Sequence, residues 1–315
     1  MPTSRTFLSL AGHAPWFAAL SLAVLIYCVR AGQAEEPAKV LRKKVILVTF
    51  NIHHARGADN TLDLDRVADV VAPADLVALQ EVDNHFDRRS DFVDQARYLA
   101  NRLDRHWVYA ANVDLAAKDD SSSPKLGALR RQYGVALLSR FPITYSRNYP
   151  LPIRRGKKGV SEQRGLLETQ VRMPGGELRV YVTHLAHGSK EERLLQVRRI
   201  RDVLAEAEKG GPPIAGVPFS SSWVIAGDFN FRPESEEYRL FTDAGDGLAD
   251  KVPVDVWPVI GRGSGVTVGV GTLRSSRIDY VWVSPELRPC LLAARVDEET
   301  RASDHQPLFV EWSVP

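Results

Sequence analysis

Cysteine is nearly missing from this chain. The 315 residues contain two, Cys28 and Cys290, and Cys28 lies in an apolar N-terminal run. Once that run is removed no intrachain disulfide can form, so the fold must hold through its core; Cys290 reads as inert packing. Net charge is also lacking, with 41 Lys plus Arg against 39 Asp plus Glu. Residues 1–34 contain Arg5 and Arg30 and no acid, so residues 35–315 balance at 39 against 39. Bulk charge therefore gives no argument for nucleic acid. Repeats are absent, and no linker divides residues 35–315, which argues for one domain. What the chain does have is an ordinary globular composition, 44% apolar and 25% charged, with ample length for a core.

One long hydrophobic run exists. Ala14–Val29 reads APWFAALSLAVLIYCV, follows Arg5, and precedes the small residues Ala31-Gly32-Gln33-Ala34. A positive start, an apolar stretch and a small-residue cleavage site make a secretory signal over residues 1–34. The alternative is an uncleaved anchor with the body outside the cytoplasm. His13 and Pro15 weaken a spanning helix, and Arg30, Arg42, Lys43 and Lys44 would lie on the wrong side of it. The expectation is a secreted or periplasmic protein, with no stable membrane span after cleavage, and monomeric.

Apolar patterning predicts buried strands at Val45–Phe50, Leu76–Leu79, Gly134–Ser139, Leu178–Thr183, Trp223–Ala226, Ile278–Val283 and Pro307–Trp312. Helices are predicted over Leu64–Val71, capped by Asp63, and over Gln95–Leu103. A third starts at a Ser189/Glu192 capping box and runs to about Lys209 before Gly210-Gly211. Loops are expected at Lys118–Gln132, Arg154–Arg164 and Gly210–Ser222. Strands outnumber helices, and many links are too short for parallel crossovers. A mixed α/β arrangement of two packed sheets with outer helices fits better than a doubly wound sheet.

The chemistry lies at the strand tips. The predicted strands lead into Asn51, Gln80-Glu81, His184, and Asp228 with Asn230; Asp279 sits just inside IDYVWV, and Ser303-Asp304-His305 precedes the last strand. On an extended chain Asp228 and Asn230 would point the same way. Buried carboxylates repel one another unless a cation or proton intervenes. Asn51, Glu81 and Asp304 offer oxygen, which suits a hard ion such as Mg²⁺ or Mn²⁺. His184 and His305 add groups that transfer protons near neutral pH or donate to an oxyanion. His53-His54 is argued against as a ligand pair, because adjacent side chains on an extended chain diverge. Taken singly, each of these residues has an ordinary structural explanation; the ordered series does not.

The segments TFNIHHARG, LVALQEVD, YGVALLSRFPI, EQRGLLETQV, VYVTHLAHGSKEERLLQVRRI, VIAGDFNFRPES, SRIDYVWVS and ASDHQPLFVEW resemble, in order, the endonuclease/exonuclease/phosphatase superfamily, over roughly residues 45–312. The resemblance implies a four-layer sandwich of two packed mixed β-sheets flanked by helices, and Mg²⁺-dependent hydrolysis of a phosphoester. It implies metal-site roles for Asn51, Glu81 and Asp304, with Glu81 the principal ligand. It implies catalytic roles for His184, Asp228, Asn230, Asp279 and His305, with Asp279 orienting His305. Arg164 matches the arginine of the RG segment and is expected at the substrate phosphate.

The substrate is less legible. Arg147, Arg154, Arg155, Lys157, Lys158 and Arg164 form one basic stretch, and Lys125, Arg130 and Arg131 another. Flanking a cleft, they would track a polyanion, so nucleic acid is one candidate partner; solvated loop charge is the plain alternative. No aromatic-rich hairpin for membrane insertion is evident, Trp257 and its Val-rich surroundings being the only feature of that kind. A phosphodiesterase outside the cytoplasm ranks first, with nuclease action one form of it. A phosphatase, sphingomyelinase or phospholipase-type hydrolase ranks second, and a non-catalytic binding module last. Two features depart from the pattern: Val135 follows Tyr133-Gly134 where many relatives carry Asn, and a loop is inserted around Ser121-Ser122-Ser123.

Overall fold

Val45, Leu47, Val48 and Phe50 alternate along one extended segment, and all four are buried, two toward each face. A strand covered on both sides belongs to the middle of a layered structure. The computed structural model describes residues 43–117, 129–156, 159–210, 219–245 and 251–314, all within one compact unit, Arg42–Pro315. In chain order the strands are β1 (Lys43–Asn51), β2 (Leu76–Asn84), β3 (His106–Leu115), β4 (Arg131–Ser139), β5 (Ile143–Pro150), β6 (Arg155–Gly156) and β7 (Gly159–Val160). They continue with β8 (Gly165–Met173), β9 (Gly176–His184), β10 (Trp223–Asp228), β11 (Val254–Asp255), β12 (Asp279–Val283), β13 (Leu291–Val296) and β14 (Leu308–Val314). The helices are α1 (Leu64–Val71), α2 (Gln95–Leu103), α3 (Lys190–Gly210), α4 (Glu236–Phe241) and α5 (Val256–Ile260).

Two six-stranded sheets result, in the orders β13-β14-β1-β2-β4-β3 and β11-β12-β10-β9-β8-β5. Their centres repeat one pattern. β1 runs parallel to β2 and antiparallel to β14; β10 runs parallel to β9 and antiparallel to β12. Val45, Leu47, Val135 and Leu137 of the first sheet meet Val180, Val182, Val224 and Val281 of the second in a dry intersheet core. Trp257, partly buried, packs against that core, as does Cys290. Val67, Val71, Ala96 and Leu99 of α1 and α2 cover the outer face of the first sheet. Val197, Ile200, Val203 and Phe241 of α3 and α4 cover the second, over Tyr181, Trp223 and Trp282. The result is the four-layer sandwich.

Local chemistry sets the helix starts. Asp63 accepts from the Arg66 N–H, and Asp94 from the Arg97 N–H. At α3 half of the expected capping box forms: the Ser189 hydroxyl accepts from the Glu192 N–H at 3.2 Å. The Glu192 carboxylate does not turn back; it accepts from Ser161 Oγ at 2.8 Å and Gln196 Nε2 at 3.3 Å. The expected loop Arg154–Arg164 contains the short β6–β7 ribbon. Residues 1–34, on which the export expectation rests, lie outside the described residues, as do Lys125, Lys157, Lys158 and Ser121-Ser122-Ser123. Among the described residues no helix is long and apolar enough to cross a membrane.

Candidate active site

The pairing register carries the functional side chains to one end of the sandwich. Asp228 closes β10 and stands opposite His184 of β9 and Asp279 of β12. Gly227 permits that closeness, since a Cβ there would collide with the Thr183 carbonyl of β9. Asn51, at the end of β1, bridges the sheets: its Nδ2 donates to Asp228 Oδ2 and to Glu81 Oε1, each at 3.1 Å. Glu81 sits in a bulge where the β2–β4 register shifts, with a left-handed φ of 56°. Such a bulge turns a side chain out of the strand's alternation, here toward Asn51. Ser303 ties in the last segment, its Oγ donating to the Asn51 carbonyl at 2.7 Å and accepting from the His305 N–H at 3.2 Å.

Asp228 and Asn230 are held together, but not by strand alternation. β10 ends at Asp228, and Asn230 adopts a left-handed φ of 53°. The Asn230 N–H donates back to Asp228 Oδ1 at 2.9 Å, closing a tight turn. Between them Phe229 is fully buried, with Phe231, Phe241, Tyr280 and Trp282 at ring distances of 5.4, 5.7, 5.6 and 6.0 Å. That anchor fixes the turn. Asn230 Nδ2 donates to the Leu185 carbonyl at 3.1 Å, and its Oδ1 lies 3.2 Å from His187 Nδ1.

Two imidazoles then converge on one oxygen. Asp228 Oδ2 is 3.4 Å from His184 Nε2 and 3.8 Å from His305 Nε2. Burial, followed by the neighbouring Asp279 charge, pushes the Asp228 carboxyl up to about 7. Burial opposes charge on His305, but Asp279, whose Oδ2 accepts from His305 Nδ1 at 2.9 Å, outweighs it together with Asp228, and the imidazole rises to about 10. His184 goes the other way, held well below its ordinary value by burial and by Arg164. Arg164 has only donors, so its 3.0 Å contact makes His184 Nδ1 the acceptor and leaves the proton on Nε2, facing Asp228. One imidazole is thus a cation and the other a neutral donor with a fixed tautomer.

Arg164 itself is buried, on His184 and on Glu162 at 2.9 Å. The sequence reading puts it at the substrate phosphate; in the fold its guanidinium lies against His184 Nδ1. Asp304 points toward His53 Nδ1 at 3.6 Å with its side chain 56% exposed. The objection to His53-His54 fails, because the chain there is not extended. His53, His54 and Ala55 carry left-handed φ values of 45°, 46° and 64°. One ring nitrogen from each histidine and a Glu81 oxygen lie within 4.8 Å of one another. Together with the Asn51 amide beside Glu81, this donor set fits a divalent cation. Sequence reasoning missed Ser303 as the brace described above, although it stands in the SDH segment. It also missed Tyr133, buried beside Arg164 in the Tyr-Gly segment, and Thr267, whose Oγ1 accepts from the Ile278 and Asp279 N–H groups and for which the sequence carries no signal.

A cavity of about 460 Å³ opens beside Asn230, lined by His187, Lys190, Arg193, Phe231 and Glu236 among others. Two of its cations are paired, Lys190 with Glu236 at 2.8 Å and Arg193 with Glu237 at 3.0 Å, and Arg232 also lines it. Of the expected basic tracks, Arg130 is paired with Asp114 and Arg131 donates to the Phe86 carbonyl.

The Endonuclease/Exonuclease/phosphatase family model matches residues 48–305. Among solved structures, an endonuclease/exonuclease/phosphatase from Beutenbergia cavernae is 24% identical with a TM-score of 0.66, over 87% of this chain and 72% of that one. A mannosyl-6-phosphatase from Bacteroides thetaiotaomicron is 17% identical with a TM-score of 0.59, over 84% and 98%. The human Nocturnin catalytic domain, with bound sulfate anion, is 22% identical with a TM-score of 0.56, over 87% and 96%. No curated protein sequence matches.

Proposed function

The chain belongs to the endonuclease/exonuclease/phosphatase family and is a metal-dependent phosphoester hydrolase, and from that premise we propose that it cleaves a phosphodiester, with Mg²⁺ as the working ion and Mn²⁺ as a substitute. The observation that carries this reading is the buried Asp228 carboxylate with the Nε2 atoms of two imidazoles 3.4 and 3.8 Å from one of its oxygens. Glu81, next to Asn51, would hold the ion, which when bound neutralises a phosphate oxygen and the charge developing in the transition state. Asp228, poised near neutrality, accepts the proton of the attacking water. His184 Nε2–H and His305 Nε2–H donate to the phosphate oxygens, Arg164 and Asp279 holding each ring in place. Asn230 fixes the turn that aims Asp228 and offers its remaining amide hydrogen. The guanidinium built into the site, Arg164, is engaged by His184 and Glu162, which suits the single charge of a diester better than the double charge of a monoester.

The apolar run before residue 35 supports action outside the cytoplasm, and polymeric DNA or RNA is one form the diester takes. A second reading, a compact phosphoester or lipid headgroup, is favoured by the cavity beside Asn230, where Lys190 and Arg193 are paired and Arg232 adds one further positive charge, and accords with the phosphatase among the structural neighbours. A substrate panel separates them: bis-nitrophenyl phosphate, nitrophenyl phosphate, plasmid DNA, RNA and sphingomyelin, each with Mg²⁺ and with chelator. Diester cleavage that chelator abolishes is expected. Faster turnover of the monoester, or of sphingomyelin alone, would reverse the order of the two readings.

A further inference from the structure

The turn His53–Ala55 is costly as built. Three successive non-glycine residues are left-handed, at roughly 1–2 kcal/mol each. Strain of this kind persists where the surroundings impose it, and it clusters at functional sites. The surroundings here are specific. The His53 N–H donates to Asn51 Oδ1 at 3.0 Å, and the buried Gln95 side chain donates to the His54 carbonyl at 2.7 Å. The outcome is that two adjacent imidazoles, which would diverge on an extended chain, stand with ring centroids 4.4 Å apart at an interplanar angle of 66°. Both present a nitrogen within 4.8 Å of a Glu81 carboxylate oxygen. His54 Nδ1 is buried without a hydrogen-bond partner, although buried polar atoms are normally satisfied. Arg89, whose charge reaches His54, is itself held by Asp83 through two bonds of 2.9 and 2.7 Å.

We propose that His53, His54 and Glu81 form a transition-metal site that shares the Glu81 carboxylate with the Mg²⁺ site and competes with it. Two imidazoles and one carboxylate suit Zn²⁺, Mn²⁺ or Co²⁺, whereas Mg²⁺ prefers oxygen and keeps its water. Holding two nitrogen donors on neighbouring residues accounts for a left-handed turn that the oxygen ligands alone do not require. The inference deepens the proposed metal role of Glu81 and rests on it.

The test uses the full chain, freed of metal, and needs no substrate. Mn²⁺ bound to the protein is examined by pulsed electron paramagnetic resonance, where directly bonded imidazole gives ¹⁴N couplings. Zn²⁺ and Mg²⁺ affinities are measured by calorimetry on the wild type, His53→Gln and His54→Gln. Expected are ¹⁴N couplings in the wild type, Zn²⁺ binding that Mg²⁺ displaces only in large excess, and a loss of about tenfold or more in Zn²⁺ affinity in each variant, with Mg²⁺ affinity changed much less. Mn²⁺ bound without nitrogen coupling overturns the proposal even if the variants fold poorly, as does Zn²⁺ affinity unchanged in both variants. Diester hydrolysis in Mg²⁺ is assayed separately; its absence counts against the proposed function, while the ¹⁴N couplings and the Zn²⁺ affinities decide the nitrogen ligands.

Discussion

Asp228 is where the physics of the site concentrates. A carboxylate wholly out of water beside a second acid resists ionisation, and the imidazolium of His305 and the Asn51 and Asn230 N–H groups draw it back, leaving it near 7. A base must be unprotonated to act, so activity should rise as Asp228 ionises through about pH 7. A cationic donor must keep its proton, so activity should fall as His305 titrates near 10. The rate profile should be a bell between those limits. Asp228→Asn should lower turnover by about 10²–10⁴-fold and remove the acidic limb, with the circular-dichroism spectrum unchanged; a variant that keeps the limb would move the base elsewhere. These residues are legible in sequence because a charged or amide group at the tip of an apolar strand breaks the hydrophobic pattern. What is not legible at this scale is direction. His53-His54 diverge on an extended chain and converge on a left-handed one, and nothing in the letters HH signals that conformation. Arg164 likewise reads as a free cation until the fold sets it against His184.

At the scale of elements, the three longer helices were predictable nearly to their ends because their signals are local: Asp63 and Asp94 cap the N–H groups that an amphipathic turn leaves unsatisfied, whereas the short helices Glu236–Phe241 and Val256–Ile260 were not predicted. The edge strands His106–Leu115 and Ile143–Pro150 were not, since an edge strand has one neighbour and need not alternate cleanly; most of their residues are only partly buried or exposed. Gly165–Met173 escaped for another reason, its buried Glu168, Thr169 and Gln170 breaking an otherwise apolar run. The element that matters most for activity is the turn after β10, and its stability comes from Phe229 among four aromatic rings. Phe229→Ala should cost about 3–5 kcal/mol of unfolding free energy, read from urea denaturation. It should also lower kcat, because the ring lies between the residues that aim water and phosphate. A stability loss with full activity would show that Asp228 is aimed by β-pairing alone.

At the scale of the whole molecule, the sandwich repeats one three-strand pattern in both sheets and places the site on the seam. Glu81 and Asn51 belong to the first sheet; His184, Asp228 and Asp279 belong to the second, and Asn51 Nδ2 joins them at 3.1 Å to each side. That division was legible only in part: the order of segments implied two sheets, but register decides which tips touch, and register depends on contacts between residues as distant as Asn51 and Asp228. It has a thermodynamic consequence. A cation that binds the folded site and not the unfolded chain adds stability as RT ln(1 + [L]/Kd), about 2.7 kcal/mol at a hundredfold excess over Kd. For a domain of this size that amounts to about 5 °C in Tm. Saturating Mg²⁺ should therefore raise the melting temperature of the wild type by that order, and chelator should reverse the shift. Glu81→Gln should abolish it, because the amide keeps a neutral oxygen but loses the charge that holds the ion. Asp228→Asn should retain most of it, since Asp228 lies across the seam on the second sheet. Equal loss in both variants would mean that the ion sits between the sheets and is held by both, which would make Asp228 a ligand and move the task of accepting the water proton to another group.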